Sequence, residues 1–250
     1  MPASTAVPLP SADARIAVIG LGYVGLPLAV AFGAKRAVLG FDVDAARVRE
    51  LGLGIDRTLE LEADEIRAAP HLQFGSDESE LATCDIFVVA VPTPIDASHQ
   101  PDLEPLRSAS ALVARAMRRG ALVVYESTVY PGTTEEICVP ILERGSGLRF
   151  NVDFSCGYSP ERVSPGDRAR RLADIRKITS GSTPATADAV GALYRQVITA
   201  GTFAAPSIRV AEAAKVVENI QRDVNIALVN ELALFAFLLV DHWLPLLFEA

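Results

Sequence analysis

A glycine-rich stretch close to the N-terminus constrains the fold of this chain more than any other feature. Gly20, Gly22 and Gly25 form the pattern Gly-x-Gly-x-x-Gly, which directly follows the apolar run Ile16–Ile19 and precedes a helix-forming stretch. In a strand–turn–helix unit of this kind, the first glycine permits a tight turn, the second lets a ligand approach the backbone, and the third lets the helix pack on the strand. The stretch therefore predicts the first unit of an α/β domain.

Apolar runs of β-type and longer helical stretches alternate along most of the chain. Strands are predicted at 16–19, 37–41, 86–91 and 122–125, and further strands near 153–156, 177–180 and 202–204. Helices are predicted at 26–35, 44–51, 103–118, 133–144 and 184–197. Near-continuous apolar strands separated by helices are typical of a parallel sheet covered on both faces. The predicted fold class is therefore α/β, with a doubly wound parallel sheet of the Rossmann type.

The two ends of the chain differ from this alternating region. We expect a disordered N-terminal arm over 1–13, a dinucleotide-binding domain over 14–206, and the start of a long central helix over 207–250. The helix becomes almost wholly apolar after Leu232. Such a helix is expected to pack against a second domain or another subunit, so a homodimer through it is one expected assembly.

Composition excludes several classes of protein. The 250 residues are 50% hydrophobic, and 23 Lys+Arg against 31 Asp+Glu give a formal charge of −8. The hydrophobic content excludes an intrinsically disordered chain, and the acidic balance argues against a general nucleic-acid binder. Three widely spaced cysteines, Cys84, Cys138 and Cys156, predict neither a disulfide framework nor a metal site. Without a signal-peptide pattern or an apolar run of bilayer length, we expect a cytoplasmic protein with no membrane segment.

An acidic residue at the end of the second predicted strand indicates the cofactor. Asp42 lies 20 residues after Gly22. A carboxylate at that position accepts the ribose hydroxyls of NAD and repels the 2′-phosphate of NADP, so NAD is the predicted cofactor. The nearby Arg47 leaves alternatives open: it could favour NADP, stack on adenine, or simply face solvent.

Five ordered motifs carry a resemblance to a known family. They occupy residues 20–28 (GLGYVGLPL), 91–94 (VPTP), 126–134 (ESTVYPGTT), 158–163 (YSPERV) and 211–219 (AEAAKVVEN). Together, over about 15–234, the chain resembles the UDP-glucose/GDP-mannose dehydrogenase family. Within it, the likeness is strongest to UDP-N-acetylhexosamine 6-dehydrogenases of bacterial capsule, Vi-antigen and O-antigen synthesis.

The resemblance implies a reaction and a set of site residues. The implied reaction is a two-stage oxidation of the sugar C6 alcohol to a carboxylate, with two NAD and a thioester on a cysteine. Glu161, assisted by Thr128, would orient or deprotonate the hydrolytic water, and Lys215 and Asn219 would hold the C6 oxygen. The residues expected to contact NAD are Gly20, Gly22, Tyr23, Val24, Gly25, Asp42, Arg47, Thr93 and Thr128.

The residues themselves agree with these roles, although each has a simpler alternative. Lys215 and Asn219 are four positions apart on one predicted helix, so both can reach the same oxygen, and an ammonium and an amide suit a developing oxyanion. A carboxylate beside an acyl intermediate suits a general base. Asn219 could instead be a solvated helix residue. The alternatives for the charged residues are surface ion pairs of Lys215 with Glu212 or Glu218, and of Glu161 with Arg162.

The resemblance stops after Leu234 and has smaller departures before it. The cysteine nucleophile and the UDP-binding domain that the resemblance implies have no counterpart in the sequence, so we expect a truncated, NAD-binding part that does not complete catalysis alone. Cys156 is expected to be a small buried residue, and Ser164 stands where the resemblance predicts Asn. Two other functions stay open: a 3-hydroxyacid-type NAD dehydrogenase, and a non-catalytic NAD-binding remnant or partner module.

Overall fold

The computed structural model describes residues 9–11, 13–162 and 171–248, with side chains described up to residue 237. Most of the expected N-terminal arm lies outside the described residues, as does Ser164. The three-segment division of the chain therefore stays a prediction.

The described residues form an eight-stranded sheet of order β3-β2-β1-β4-β5-β6-β7-β8. The strands are β1 (Ile16–Ile19), β2 (Val38–Phe41), β3 (Leu72–Gly75), β4 (Ile86–Val89), β5 (Leu122–Tyr125), β6 (Ser155–Tyr158), β7 (Lys177–Gly181) and β8 (Thr202–Ala204). The helices are α1 (Gly25–Gly33), α2 (Ala45–Gly52), α3 (Ala63–Arg67), α4 (Glu104–Ala116), α5 (Val139–Ser146), α6 (Pro184–Arg195) and α7 (Ile208–Phe248). A short π-helical turn, Thr134–Cys138, leads into α5.

The predicted parallel, doubly wound sheet is confirmed from β1 to β6, where every neighbouring pair of strands is parallel. It differs at β7, which runs antiparallel to β6 while β8 is again parallel to β7. Two neighbouring parallel strands must be joined by a crossover over one face of the sheet. Two neighbouring antiparallel strands can be joined by a loop at one end of the sheet. The chain therefore turns back between β6 and β7, in the connection that carries Glu161.

Two apolar clusters cover the two faces of the sheet. Ala17 and Ile19 belong to one cluster, with residues of α4, α5 and the first turn of α7. Ile16 and Val18 belong to the other, with residues of α1, α3 and α6. Successive strand residues point to opposite faces, so a strand that is apolar at every position must be covered on both sides.

The sequence prediction missed α3 and β3. β3 is an edge strand in which Gln73 is exposed and only Gly75 is fully buried. α3 has five residues. A half-buried edge strand lacks the continuous apolar run by which the central strands were recognised, and so short a helix offers too little periodicity to detect.

The long helix α7 begins at Ile208. Its first turns are buried on the sheet through Ile208, Ala211 and Glu212, while Val217 and most later apolar residues are exposed. Among the described residues, no helix combines the length and the apolar character needed to cross a bilayer.

Truncating a buried leucine should cost much more stability than truncating an exposed one. Leu142 on α5 is completely buried in the first cluster, whereas Leu53 is 71% exposed. Leu142→Ala should lower the free energy of unfolding by about 2–5 kcal/mol because it leaves a cavity. Leu53→Ala should change it by no more than about 0.5 kcal/mol. Urea denaturation of both variants checks this, and equal losses would contradict the assignment of the core.

Candidate functional site

The glycine turn between β1 and α1 has the geometry that its spacing predicts. Gly20 has a φ of +90°, which favours glycine. A Cβ atom on Gly25 would lie 1.8 Å from the carbonyl oxygen of Gly20, so any side chain there would force the helix away from the strand. A Cβ atom on Gly22 would meet no protein atom within 4 Å. The turn is therefore tight at its two ends and open in the middle, where a ligand can approach the backbone.

Asp42 lies beside this turn, directly after β2. Its carboxylate accepts hydrogen bonds from the backbone N–H groups of Leu21 and Asp44, both at 2.9 Å. The contact with Leu21 ties the carboxylate to the glycine turn. The predicted proximity of the acidic residue and the turn is therefore present.

Arg47 does not face solvent, so that alternative is wrong. Its side chain is buried and donates to the Leu21 carbonyl oxygen at 2.9 Å and to a carboxylate oxygen of Asp56 at 2.6 Å. Burial acts to raise the pKa of Asp56, but hydrogen bonds from Thr58 and Arg47 outweigh it and hold that pKa below its usual value. The Nη1 atom of Arg47 is buried with no hydrogen-bond partner among the described residues.

Two cavities meet over the glycine turn. One, of about 640 Å³, is lined by Gly20, Gly22 and Asp42 together with small residues of α4. The other, of about 480 Å³, also borders Gly22 and extends past Tyr23 and Val24 toward α7. Both lie at the carboxyl ends of the parallel strands, where open α/β sheets bind their ligands.

The second cavity brings together all four residues predicted to be catalytic. Thr128 follows β5, Glu161 follows β6, and Lys215 and Asn219 project from α7, and all of them line this cavity. Thr93, which follows β4, lines it too, and its buried hydroxyl has no hydrogen-bond partner among the described residues. The residues come from distant parts of the sequence because several strand ends and one helix meet at this edge of the sheet.

Lys215 is not held in the surface ion pairs that were its alternative. The Glu212 carboxylate instead accepts hydrogen bonds from backbone N–H groups of the segment after β5, including that of Thr134 at 2.9 Å. Glu218 pairs with Arg162 at 3.1 Å and Arg222 at 3.6 Å. Lys215 is 8% exposed and has no ion pair within the described part of the chain. Burial lowers its pKa, and the nearby Glu218 and Glu161 oppose that effect.

A buried network of Glu126, Lys177 and Tyr194 contacts Glu161 and was not predicted from the sequence. The Lys177 ammonium donates to Glu126 Oε2 at 2.6 Å and to Glu161 Oε2 at 3.0 Å. The Tyr194 hydroxyl donates to the other oxygen of Glu126, and the Lys177 ammonium lies 5.5 Å from the Tyr194 ring centroid. Arg162, the alternative partner of Glu161, contacts it through the backbone N–H group alone and directs its side chain to Glu218.

This network was not predicted because its residues lie far apart in the sequence. Lys177 and Glu126 are 51 residues apart, and Tyr194 is 68 residues from Glu126. The one available signal was a lysine at the first position of an otherwise largely uncharged strand, which is equally typical of a strand end in solvent.

The three cysteines are free and buried. Cys156 is completely buried, as expected, and burial raises the pKa of its thiol. None of the three lines the cavity that holds Lys215 and Glu161.

Comparison with known proteins assigns the chain to a family. Residues 14–198 match the NAD binding domain of the UDP-glucose/GDP-mannose dehydrogenase family. The chain belongs to this family. The match decides against the 3-hydroxyacid-type alternative and identifies the domain around the glycine turn as an NAD-binding domain.

Several named relatives are similar over most of the chain. UDP-N-acetyl-D-glucosamine 6-dehydrogenase of Pseudomonas aeruginosa is 59% identical over 222 residues, which are 89% of this chain and 53% of the relative. The Salmonella typhi protein of the same name is 57% identical, over 89% of this chain and 52% of the relative. The chain thus spans about half the length of the curated relatives it matches.

A solved structure supports the fold. UDP-D-ManNAc dehydrogenase from Pyrococcus horikoshii is 37% identical and superposes with a TM-score of 0.81, covering 89% of this chain and 54% of that chain. Most of the described fold is therefore shared with this solved structure.

The described residues fit NAD. Gly22 leaves open space where a pyrophosphate must approach the backbone, and the N-cap residue of α1, Val24, makes no side-chain hydrogen bond. The buried hydroxyl of Thr93, which has no hydrogen-bond partner among the described residues, lines the adjoining cavity. Helix N-termini and open backbone of this kind favour bound phosphate groups.

Two alanine substitutions in the glycine turn should separate folding from cofactor binding. Gly25→Ala should destabilise the chain by about 1–3 kcal/mol or more, because the new methyl group overlaps the backbone of Gly20. Gly22→Ala should leave the free energy of unfolding within about 0.5 kcal/mol of wild type. It should still weaken NAD binding, because its methyl group occupies the open space. Denaturation and calorimetric titration of both variants measure the two effects, and a Gly22→Ala variant that binds NAD normally would contradict the site.

The buried Glu126 should make stability depend on pH. Burial, partly offset by Lys177, raises its pKa to about 7. Because the folded pKa lies above the unfolded value, the stability this group contributes is complete below about pH 4.5 and is lost as the pH rises to about 7, by about 1.4 kcal/mol per unit. The stability of Glu126→Gln relative to wild type should therefore increase over this range in denaturant titrations. Glu231→Gln, at an exposed position on α7, should follow wild type at every pH, and parallel curves for Glu126→Gln would contradict the prediction.

Proposed function

We propose that this chain supplies the NAD-binding part of an NAD-dependent dehydrogenase that oxidises the C6 alcohol of a UDP-N-acetylhexosamine for surface polysaccharide synthesis. The observation that carries the proposal is the convergence of Thr128, Glu161, Lys215 and Asn219 on one cavity that meets the cofactor cleft at Gly22. We assign residues 14–206 to the NAD-binding domain and 207–250 to the start of a central helix.

The cofactor residues hold the dinucleotide at the edge of the sheet. The turn at Gly20, Gly22 and Gly25 with Tyr23 and Val24 would receive the pyrophosphate. Asp42 would accept hydrogen bonds from the adenosine ribose hydroxyls. Arg47, whose Nη1 has no hydrogen-bond partner within the described part of the chain, would donate to the same end. Thr93 and Thr128 line the cavity at the opposite end, where the nicotinamide would lie. When bound, NAD supplies the hydride acceptor.

Lys215 and Asn219 act on the sugar oxygen. They lie one helical turn apart and face one cavity, so an ammonium and an amide can donate to a single oxygen as it gains negative charge. Burial lowers the pKa of Lys215. Burial also lowers the local dielectric constant, and this strengthens the attraction of the ammonium to that oxygen.

Glu161 and Thr128 act on water. The carboxylate of Glu161 lines the cavity, where it can accept a proton from a water molecule, with the Thr128 hydroxyl as a second contact. The thioester stage needs a thiol facing the cavity, and the three cysteines of this chain are buried elsewhere. That stage therefore draws on a nucleophile other than Cys84, Cys138 or Cys156.

The substrate class rests on the relatives. Two of them, at 59% and 57% identity, are named UDP-N-acetyl-D-glucosamine 6-dehydrogenases. We further expect a second copy or a further domain to cover the exposed apolar residues of α7, among them Val224, Leu228 and Phe235.

NAD binding provides the first test. Calorimetric titration should detect NAD binding and a much weaker interaction with NADP. Asp42→Asn should lose about 1.5–3 kcal/mol of NAD binding free energy, because it replaces a charged acceptor. Asp44→Asn, two positions along and exposed, should bind NAD as wild type does. A folded chain that does not bind NAD would overturn the proposal.

A chimera tests the reaction. The 222 aligned residues of the Pseudomonas aeruginosa relative are replaced by those of this chain, and NADH formation is followed with UDP-N-acetylglucosamine and with UDP-N-acetylgalactosamine. The chimera should reduce NAD with at least one of them. Glu161→Gln should lower the rate by roughly 10²–10⁴-fold if Glu161 is the general base. Lys215→Met should also abolish most activity, whereas Lys35→Met on the surface should not. A folded, NAD-binding chimera that is inactive would favour the non-catalytic remnant instead.

A further inference from the structure

The buried network of Glu126, Lys177 and Tyr194 has no part in the mechanism proposed above. Its charges are almost completely shielded: the Lys177 side chain is 2% exposed and that of Glu126 is 0% exposed. Burying an ammonium and a carboxylate is costly, and well-packed apolar side chains often replace such groups without loss of stability. Stability alone therefore does not account for a lysine at this position.

The network reaches the cavity through Glu161. Lys177 opens β7, the strand that returns antiparallel beside β6, and Glu161 lies three residues after the end of β6. The ammonium contacts one oxygen of Glu161 at 3.0 Å, and the backbone N–H of Arg162 donates to the other at 2.6 Å. Each oxygen of the carboxylate therefore has a donor of its own, which fixes the plane of the group relative to the cavity.

We infer that Lys177 is a positioning residue for Glu161: its ammonium orients the Glu161 carboxylate and keeps it ionised, while Glu126 and Tyr194 hold that ammonium in place. The inference rests on the proposed function, in which Glu161 accepts a proton from water. It adds a residue that touches neither cofactor nor substrate.

This arrangement also separates the tasks of two lysines. Lys215 borders the same cavity and is near enough for Glu161 to influence its titration. Because Lys177 provides the ammonium that Glu161 contacts, Lys215 is left available to a ligand. Two buried cations thus serve two different oxygens, one on the protein and one on the substrate.

Glu126 competes with Glu161 for the same ammonium. Lys177 bridges the two carboxylates, and the pKa of Glu126 is raised to about 7, with Glu161 among the causes. The described charged and titratable groups around Glu161 include Glu126 after β5, Lys177 on β7, Tyr194 on α6, Lys215 and Arg222 on α7, and the adjacent Arg162. Across a further cavity they include Glu60, Glu62, Glu65 and Arg171. Because its pKa is raised to about 7, Glu126 is already neutral at the lower pH at which an ionised Glu161 takes up its proton. Removing the lysine should therefore move the titration of Glu161, whereas replacing Glu126 by a neutral amide should not.

The experiment follows the Glu161 carboxyl by NMR in chains labelled with ¹³Cδ-glutamate, with the resonance assigned by its loss in Glu161→Gln. In Lys177→Met, the titration midpoint of Glu161 should rise by about one pH unit or more, a tenfold gain in proton affinity. In Glu126→Gln, it should stay at the wild-type value, because the Glu126 carboxyl is already neutral below its pKa of about 7. Lys35→Met removes an exposed lysine and should leave the midpoint at the wild-type value.

The outcomes are decisive even if one variant is unstable. If Lys177→Met does not fold, the wild-type titration decides: a Glu161 midpoint below the ordinary glutamate pKa of about 4.3 supports the inference, and one above it overturns the inference. If Lys177→Met folds and its Glu161 midpoint equals that of wild type, Lys177 has only a packing role and the inference is wrong. The titration needs neither NAD nor sugar, so failure of the proposed function, seen as absent NAD binding in wild type, is distinguishable from failure of this inference.

Discussion

The close contact between the first helix and the first strand is the constraint on which the rest of the site depends. Gly25 brings α1 to within van der Waals distance of the Gly20 carbonyl, at a separation that excludes any side chain. The start of α1 is thereby fixed at the edge of the sheet, next to Asp42 and over the open space at Gly22. If a methyl group at position 25 pushed the helix away from the strand, the helix N-terminus would leave the position where phosphate groups are bound.

The same edge of the sheet collects the reactive side chains, but α7 needs a separate attachment to bring Lys215 there. Glu212 provides this attachment, because its buried carboxylate accepts hydrogen bonds from backbone N–H groups of the segment after β5. The same segment carries Thr128. Burial raises the pKa of Glu212, and those hydrogen bonds oppose the effect. Lys215 lies one helical turn further along, so the contact that joins α7 to the turn also sets the distance between the lysine and the strand ends.

Much of this arrangement could be predicted from the sequence, and the reasons are local. The glycine spacing, the apolar central strands and the acidic residue after β2 each depend on a few neighbouring positions, and all are confirmed as structural features. The edge strand β3 was missed because it is half polar, and the reversed direction of β7 was missed because direction depends on the path of the connecting chain. Motif order predicted that Glu161 and Lys215 would meet. No local pattern could indicate that Lys177 and Tyr194 would converge on Glu126, because their proximity exists only after the sheet has formed.

Two buried cations that do not line the cavities of the cleft each pair with one carboxylate and donate to a second element. Arg47 pairs with Asp56 and donates to Leu21 in the glycine turn, whereas Lys177 pairs with Glu126 and donates to Glu161. Asp56 and Glu126, which are not among the proposed catalytic residues, hold the two cations in place. The cations in turn fix the backbone at Leu21 and the carboxylate of Glu161. A single exposed ion pair would contribute little and would move with its side chains. An ion pair buried at its far end has no such freedom, so the cleft presents its polar groups in fixed positions before a ligand arrives.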